Sequence, residues 1–470
     1  MNLFVNRESE LEFLNNEYRR EGSSLVVLYG RRRVGKTRLA VEFMKGKNAL
    51  YFLASEESEQ QNLFAFKDMV GDFTGSELLK EAALNKWDII FKTLVDYAGS
   101  SLTNSGGKGK LVVTIDEFQY LGKANSAFPS VFQRIWDTLL KDNNIMVILC
   151  GSLISMMESQ VLSYSSPLYG RRTGQIKLKQ VPFSHYHRFF PEKGFKDLVM
   201  YYAVTGGVPK YIELFYDDGD IYRAIEKNIL SKNAFLYDEP KFLLQHEVSE
   251  VGSYFSVIRA IAEGNRKLSK IADALEVKQT GLSKYLKTLI DLDILEREVP
   301  VTEKNPEKSK RGLYRINDNY LHFWFRFVYP YKSYLESGNQ EFVMDRIRSY
   351  FAESHVSYIY EDVCRAEMWR MNEAGQWSFI FDKVGRWWDK DHELDILALD
   401  GNGNNIVFGE CKFRRQEAGI DVLTDLEQKA QYVEWNKGKR TENFIIFSVS
   451  GFTEGLVNAA AERGNVVLMR

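Results

Sequence analysis

A chain of 470 residues, 44% hydrophobic and 27% charged, has the length of about three globular domains, and its net charge of −2 excludes a whole-chain pull toward nucleic acid or anionic membrane. Cys150, Cys364 and Cys411 lack CxxC spacing, which argues against a disulfide framework or a zinc knuckle. No apolar run approaches the roughly 18 residues of a membrane span and residues 1–8 show no apolar signal core, so a reduced, cytoplasmic protein is expected.

Leu11 and Leu14 predict a short N-terminal packing helix, capped near Asn6 or Ser9. Leu25–Tyr29 then reads as a buried strand. It runs into Gly30, and Gly35-Lys36-Thr37 follows after four residues and opens a helix-compatible run from Arg38 to Met44. Strand, GxxxxGK[ST] and helix in that order form a P-loop. The glycines let backbone N–H groups converge on phosphate oxygens, and the helix N-terminus adds partial positive charge. The predicted nucleotide-binding stretch is Gly30, Arg31, Arg32, Arg33, Val34, Gly35, Lys36, Thr37 and Arg38. Lys36 would reach the β- and γ-phosphates of ATP, and Thr37 would ligate Mg²⁺.

Ala49–Leu53 predicts a second strand, residues 55–106 read as helices, and Ser100–Gly109 as a Gly/Ser/Lys loop. Lys110–Gln119 holds a buried strand ending in Asp116-Glu117, the form of a Walker B element. Asp116 would sit behind Mg²⁺, and Glu117 would orient and deprotonate the attacking water. Asn144–Ser152 is a further buried strand; Ser152 is either a γ-phosphate sensor or a strand-end cap. Arg171 and Arg172, before a last strand over Gln175–Lys179, are either an arginine finger or a solvated basic turn.

Phe-Val-Asn-Arg-Glu-x-Glu-Leu, Tyr-Gly-Arg-Arg-Arg-Val-Gly-Lys-Thr, Ile-Asp-Glu-Phe-Gln, Ser-Pro-Leu-Tyr-Gly-Arg and Thr205-Gly-Gly-Val-Pro-Lys-Tyr211 together resemble the archaeal-type ATPases of the AAA+/STAND group over roughly residues 1–245. The resemblance implies a five-stranded parallel sheet between helices, a small helical lid carrying the Gly-Gly-Val-Pro turn, and ATP hydrolysis. In P-loop ATPases of this kind the N-terminal segment packs beside the adenine.

Beyond Val248 the pattern changes. Apolar positions 268, 271, 272 and 275 mark one helix, Gly281–Ile290 a second, and Asp293–Val299 with Leu313–Ile316 a two-stranded wing. Helix–turn–helix plus wing is a winged-helix signature. Residues 265–315 carry twelve Lys/Arg against eight Asp/Glu. Thr280, Ser283, Lys284 and Lys287 on the second helix, and Lys308, Lys310 and Arg311 on the wing, suit phosphate contacts with duplex DNA. A protein-interaction module is the other reading. The nearly continuous aromatics of 314–330 are expected to be core or seam rather than a base-stacking surface.

In the last 120 residues His392–Leu399 and Ile406–Phe413 read as paired strands joined by the Gly/Asn turn Asp400–Asn405. Spacing by two puts Glu410 and Lys412 on one strand face. Carboxylates of Asp395 and Glu410 would hold Mg²⁺ against a phosphodiester, with Lys412 positioning or activating water. This constellation resembles the PD-(D/E)xK nuclease core. That resemblance implies Glu361, in a helical run, as a further acidic ligand, and matches Gln428 and Tyr432 to a Gln-x-x-x-Tyr pattern of some members. Leu394 stands where the superfamily usually has proline, and some members keep the fold for binding alone. Many archaeal-type ATPases carry such a C-terminal domain, of unknown function.

The expected fold is therefore α/β: an AAA+ type P-loop core with a parallel sheet over 1–180, a helical lid over 181–245 and a winged helix over 246–316. An aromatic-rich connector over 317–350 and a restriction-endonuclease-like domain over 351–470 complete it. Expected partners are ATP with Mg²⁺ and duplex DNA, with no membrane. The leading expectation is an ATPase that couples nucleotide state to DNA engagement and phosphodiester cleavage. The alternatives are a nucleotide-gated switch that cuts nothing, and a translocase whose subunits ring up through Arg171 or Arg172.

Overall fold

The structure, a computed structural model, describes residues 4–81, 86–104, 110–216 and 219–470. These divide into two compact units: residues 1–181 with 208–210 and 243–249, and the remainder from 182 to 470.

The first unit is built on strands β1 (Ser24–Tyr29), β2 (Ala49–Leu53), β3 (Leu111–Asp116), β4 (Ile145–Gly151) and β5 (Gly174–Lys177). They are all parallel, in the order β2-β3-β4-β1-β5. Every residue of β1, β3 and β4 is buried, as expected for central parallel strands covered on both faces. The period of two divides β1 between two cores. Leu25, Val27 and Tyr29 join Phe66, Phe91, Phe128 and Phe132 on one side; Val26 and Leu28 join Leu14, Leu39 and Phe43 on the other. Leu14 lies on the N-terminal helix Glu8–Arg19, which is longer than expected. Neither Asn6 nor Ser9 caps it: the N-cap position is Arg7, with no side-chain cap, and Ser9 donates to Glu10 instead. Helix Trp87–Asn104 occupies the start of the loop expected over Ser100–Gly109; residues 105–109 lie outside the described residues.

The second unit contains helices Val251–Ala262, Leu268–Ala274 and Gln279–Asp291, then an antiparallel pair, β6 (Leu295–Glu298) and β7 (Leu313–Ile316). The aromatic run that follows is core. Tyr320, Phe323, Trp324, Phe325 and Phe327 are buried, and Trp324 Nε1 donates to the Tyr237 carbonyl at 2.9 Å.

The C-terminal sheet has the order β12-β11-β10-β9-β8. Its strands are β8 (Phe381–Trp388), β9 (Glu393–Asp400), β10 (Asn405–Lys412), β11 (Thr441–Ser448) and β12 (Val466–Met469). β8, β9 and β10 pair antiparallel; β10, β11 and β12 pair parallel. Ile406 and Phe408 pack with Leu423 and Leu426 of helix Ile420–Ala430. The same alternation carries Glu410 and Lys412 onto that helix-covered face. No helix among the described residues is long and apolar enough to cross a membrane.

Candidate functional sites

β1 delivers the chain to Gly30, whose φ of +144° suits glycine, and an added Cβ there would collide with the Leu178 carbonyl oxygen. Arg33 at +71° and Gly35 at +99° complete the curl, and Gly35 is the N-cap position of helix Lys36–Met44. Lys36 is 6% exposed, and its ammonium donates to the carbonyls of Gly30 at 2.9 Å and Arg31 at 2.8 Å. Burial lowers its pKa. Arg7, which the sequence did not single out, ties the N-terminal helix to this loop. Its guanidinium donates to the Val34 carbonyl at 3.1 Å and the Lys179 carbonyl at 2.7 Å.

β3 and β4 bring the Walker B pair beside the loop. Thr37 Oγ1 and the Tyr51 hydroxyl each donate to Asp116 Oδ2 at 2.7 Å, while Oδ1 accepts the Glu117 amide at 2.9 Å. Burial, then the contact with Asp116, pushes the Tyr51 phenol up, so it stays a donor. Glu117 has φ of +53°, and its Oε2 accepts hydrogen bonds from Ser152 Oγ at 2.7 Å and from Gln119 Nε2. Lys36, Thr37, Asp116, Glu117 and Ser152 thus form one constellation. The Thr37 hydroxyl and Asp116 carboxylate are hard oxygen donors, a set that fits Mg²⁺.

The two arginines behave differently. Arg171 is held by Asp137 through Nε at 3.1 Å and Nη2 at 2.9 Å, and by the Pro167 carbonyl through Nη1 at 2.9 Å. Its guanidinium is engaged within its own unit rather than presented as a finger. Arg172 packs toward the Tyr169 ring. A residue far along the chain completes the end of β4: Glu247 accepts from the Ile154 amide at 3.1 Å and Ser155 Oγ at 3.0 Å.

In the second unit, Asp395 Oδ2 accepts the Cys411 amide at 2.9 Å, which aligns Asp395 of β9 with Glu410 and Lys412 of β10. Lys412 Nζ lies 2.6 Å from Glu410 Oε1, and Lys429, inside the Gln-x-x-x-Tyr run, lies 3.5 Å from Oε2. Burial raises the pKa of both Asp395 and Glu410, and Asp395 pushes Glu410 further up. Gln428 is exposed, so Lys429 is the residue of that run that reaches the site.

Glu361 does not join the carboxylate pair. The Arg386 guanidinium holds it, and no group of three potential metal ligands occurs among the described residues. It belongs instead to a buried ion network. Arg315 of β7 grips Asp362 at 2.7 and 2.8 Å, Asp362 pairs with Arg365, and Arg365 donates to the Asp395 carbonyl at 3.0 Å. Burial alone would push the Asp362 carboxyl up; Arg315 and Arg365 override it and hold it below the usual range. Two carboxylates still suit Mg²⁺, which keeps much of its water shell and binds through one or two carboxylates beside a phosphate.

Comparison with known proteins agrees with this architecture. A family described as an ATPase domain predominantly from Archaea matches residues 4–215, and one described as archaeal and bacterial proteins of unknown function matches 324–426. An uncharacterized protein of Methanocaldococcus jannaschii is 35% identical over 437 residues, 92% of this chain and 92% of its own length. The chain belongs to the archaeal-type ATPase family. An uncharacterized ATP-binding protein of the same organism is 51% identical over 45 residues, 10% of this chain and 76% of that relative. Among solved structures, the Walker-type ATPase of Pyrococcus abyssi is 22% identical with a TM-score of 0.51, over 69% of this chain and 96% of that one. The likeness to it is one of fold. As a member of the family, the chain is an ATP-binding ATPase with a separate C-terminal sheet domain.

Proposed function

We propose that this ATPase uses Mg²⁺–ATP to control the engagement of duplex DNA, and that its C-terminal site cleaves a phosphodiester. On the nucleotide side Lys36 contacts the β- and γ-phosphates, Thr37 and Asp116 hold Mg²⁺, and Glu117 takes the proton of the attacking water. Ser152 and Gln119 hold Glu117 in register for that step. Mg²⁺ there supplies charge neutralisation on the phosphate oxygens.

The DNA reading rests on the segment over 246–316, taken as a winged helix. Lys284 and Lys287 stand exposed on helix Gln279–Asp291, and Lys308 and Lys310 stand exposed between β6 and β7. That arrangement suits phosphate contacts along a groove. Control by nucleotide is supported by Glu247, four residues before helix Val251–Ala262, which accepts from the Ile154 amide and the Ser155 hydroxyl, two and three residues after Ser152.

The observation that carries the cleavage reading is the Asp395–Glu410–Lys412 constellation, a half-buried and a buried carboxylate and an ammonium on adjacent strands. Asp395 and Glu410 would hold a divalent ion, which stabilises charge on a phosphodiester, and Lys412 would orient water. A non-cleaving, partner-binding switch has its own support. Lys412 and Lys429 both neutralise Glu410, and Arg386 takes the charge of Glu361.

The deciding experiment is a nuclease assay on single- and double-stranded DNA with Mg²⁺ or Mn²⁺, with and without ATP, beside Asp395→Ala and Lys412→Ala. Cleavage by the wild type that both variants lose is expected. ATP hydrolysis without cleavage under any condition would leave the switch.

A further inference from the structure

Asp395 sits where β9 is irregular. Between the pairs Gly385↔Leu397 and Trp387↔Leu394, two steps along β8 match three along β9, so Asp395 and Ile396 together oppose the single residue Arg386. The register with β10 runs from Leu399 to Ile396 and stops one residue short of Asp395. A bulge of this kind interrupts the ladder and re-aims a side chain. Groups from outside the pair complete it. Arg365 of helix Ser357–Glu373 donates through Nη1 to the Asp395 carbonyl at 3.0 Å, and the Cys411 amide donates to Asp395 Oδ2 at 2.9 Å. Opposite, the Arg386 carbonyl accepts the Val301 amide at 2.9 Å. Val301 lies between β6 and β7 and packs against the core of the C-terminal sheet.

The same two strands reach Arg365 through charge. Arg315 of β7 grips Asp362 at 2.7 and 2.8 Å and also pairs with Glu296 and Glu298 of β6. Asp362 pairs in turn with Arg365, three residues on along its helix. An unbroken run of contacts therefore leads from β7 through Asp362 and Arg365 to the backbone of Asp395. Net stability does not account for such a run, because desolvation of buried charges offsets most of their attraction. What it fixes is geometry. With its main chain tied by Arg365 and Oδ2 tied by Cys411, the Asp395 carboxylate is aimed before an ion arrives. A hard divalent ion tolerates little error in where its carboxylate oxygens stand, and groups one step behind a metal ligand set that position.

We propose that Arg365, seated by Arg315 of β7 through Asp362, is the positioning residue that aims Asp395 at a divalent ion, so that the β6–β7 pair tunes ion binding at the carboxylate site. This rests on the metal-dependent phosphodiester reading of Asp395 and Glu410 and adds what controls that site.

The test is Mn²⁺ binding to the full protein without nucleotide, followed by electron paramagnetic resonance, with thermal unfolding of each metal-free variant measured beside it. The ion site that disappears in Asp395→Ala is the carboxylate site. Arg365→Ala should weaken it by roughly tenfold or more, the cost of losing a group behind a metal ligand. Arg365→Lys keeps a cation for Asp362 and a donor for the carbonyl, and should recover most of the affinity. Asp362→Asn, close to isosteric, should lose part of it. Arg266→Met removes a charge that pairs with Glu298 in the same network without lying between β7 and Asp395. It should lower the unfolding temperature and leave Mn²⁺ affinity alone. Unchanged affinity in Arg365→Ala, or an equal loss in Arg266→Met, overturns the positioning role and leaves the metal reading intact. A loss in Arg365→Ala with none in Asp362→Asn overturns the link to Arg315. Should Arg365→Ala fail to fold, unchanged affinity in Asp362→Asn alone overturns the proposal. A wild type with no Mn²⁺ site that depends on Asp395 overturns the metal reading as well.

Discussion

Ser152 Oγ donates a 2.7 Å hydrogen bond to Glu117 Oε2, so the residue after β4 and the residue after β3 share one carboxylate oxygen. With Gln119 on the same oxygen, the carboxylate is aimed by two donors before any water is bound.

Glu117→Gln should therefore keep ATP binding and lose hydrolysis, with kcat down by about 10²–10⁴ as expected for removal of a general base. Ser152→Ala leaves the base present and less well aimed, so its kcat loss should be smaller, with KM for ATP little changed. Steady-state phosphate release with an independent ATP-binding measurement separates the two. Full activity in Glu117→Gln would move the base elsewhere.

Gly30→Ala tests the loop backbone. The substitution adds a Cβ against the Leu178 carbonyl and forces a non-glycine residue to +144°. The loss in stability should exceed about 1 kcal/mol, and ATP affinity should fall with it. Thermal unfolding with and without ATP measures both.

Changing Lys284 and Lys287 to alanine should weaken duplex binding and flatten its dependence on salt, by a slope of roughly 0.9 for each phosphate no longer neutralised. Binding titrations at several salt concentrations provide the number. An unchanged slope would assign this segment to protein recognition.

Asp395 makes a pH prediction without any metal. Burial raises its folded-state pKa above that of the unfolded chain, so its full contribution to stability is present below the ordinary carboxylate pKa and is lost as pH rises through the raised value. At neutral pH the desolvated charge costs stability, and Asp395→Asn should raise the unfolding temperature there, by about 1–2 °C for each kcal/mol relieved, the scale for a unit of this size. The advantage should shrink as pH falls through the raised pKa. A variant that is equally destabilised at every pH would contradict this assignment.

The elements legible in the sequence were those whose chemistry is local. Gly30 to Thr37 needs only its spacing and flanking strand, and Asp116-Glu117 needs only a strand end. β9 and β10 were legible from alternation, which also put Glu410 and Lys412 on one face. Tertiary structure decided what distant side chains do to these groups. Glu361 is an acid on a helix in either reading, but Arg386, 25 positions away, takes its charge. Arg171 reads as a free cation until Asp137 is found 34 residues back in the chain and close in space. Lys429 and Tyr51 carry no motif of their own, and Arg7 lies in one that does not say what it binds; each matters through the partner that folding brings to it. Backbone spacing is written along the chain, whereas the pairing of buried charges is set by whichever opposite charge the packed fold places within reach.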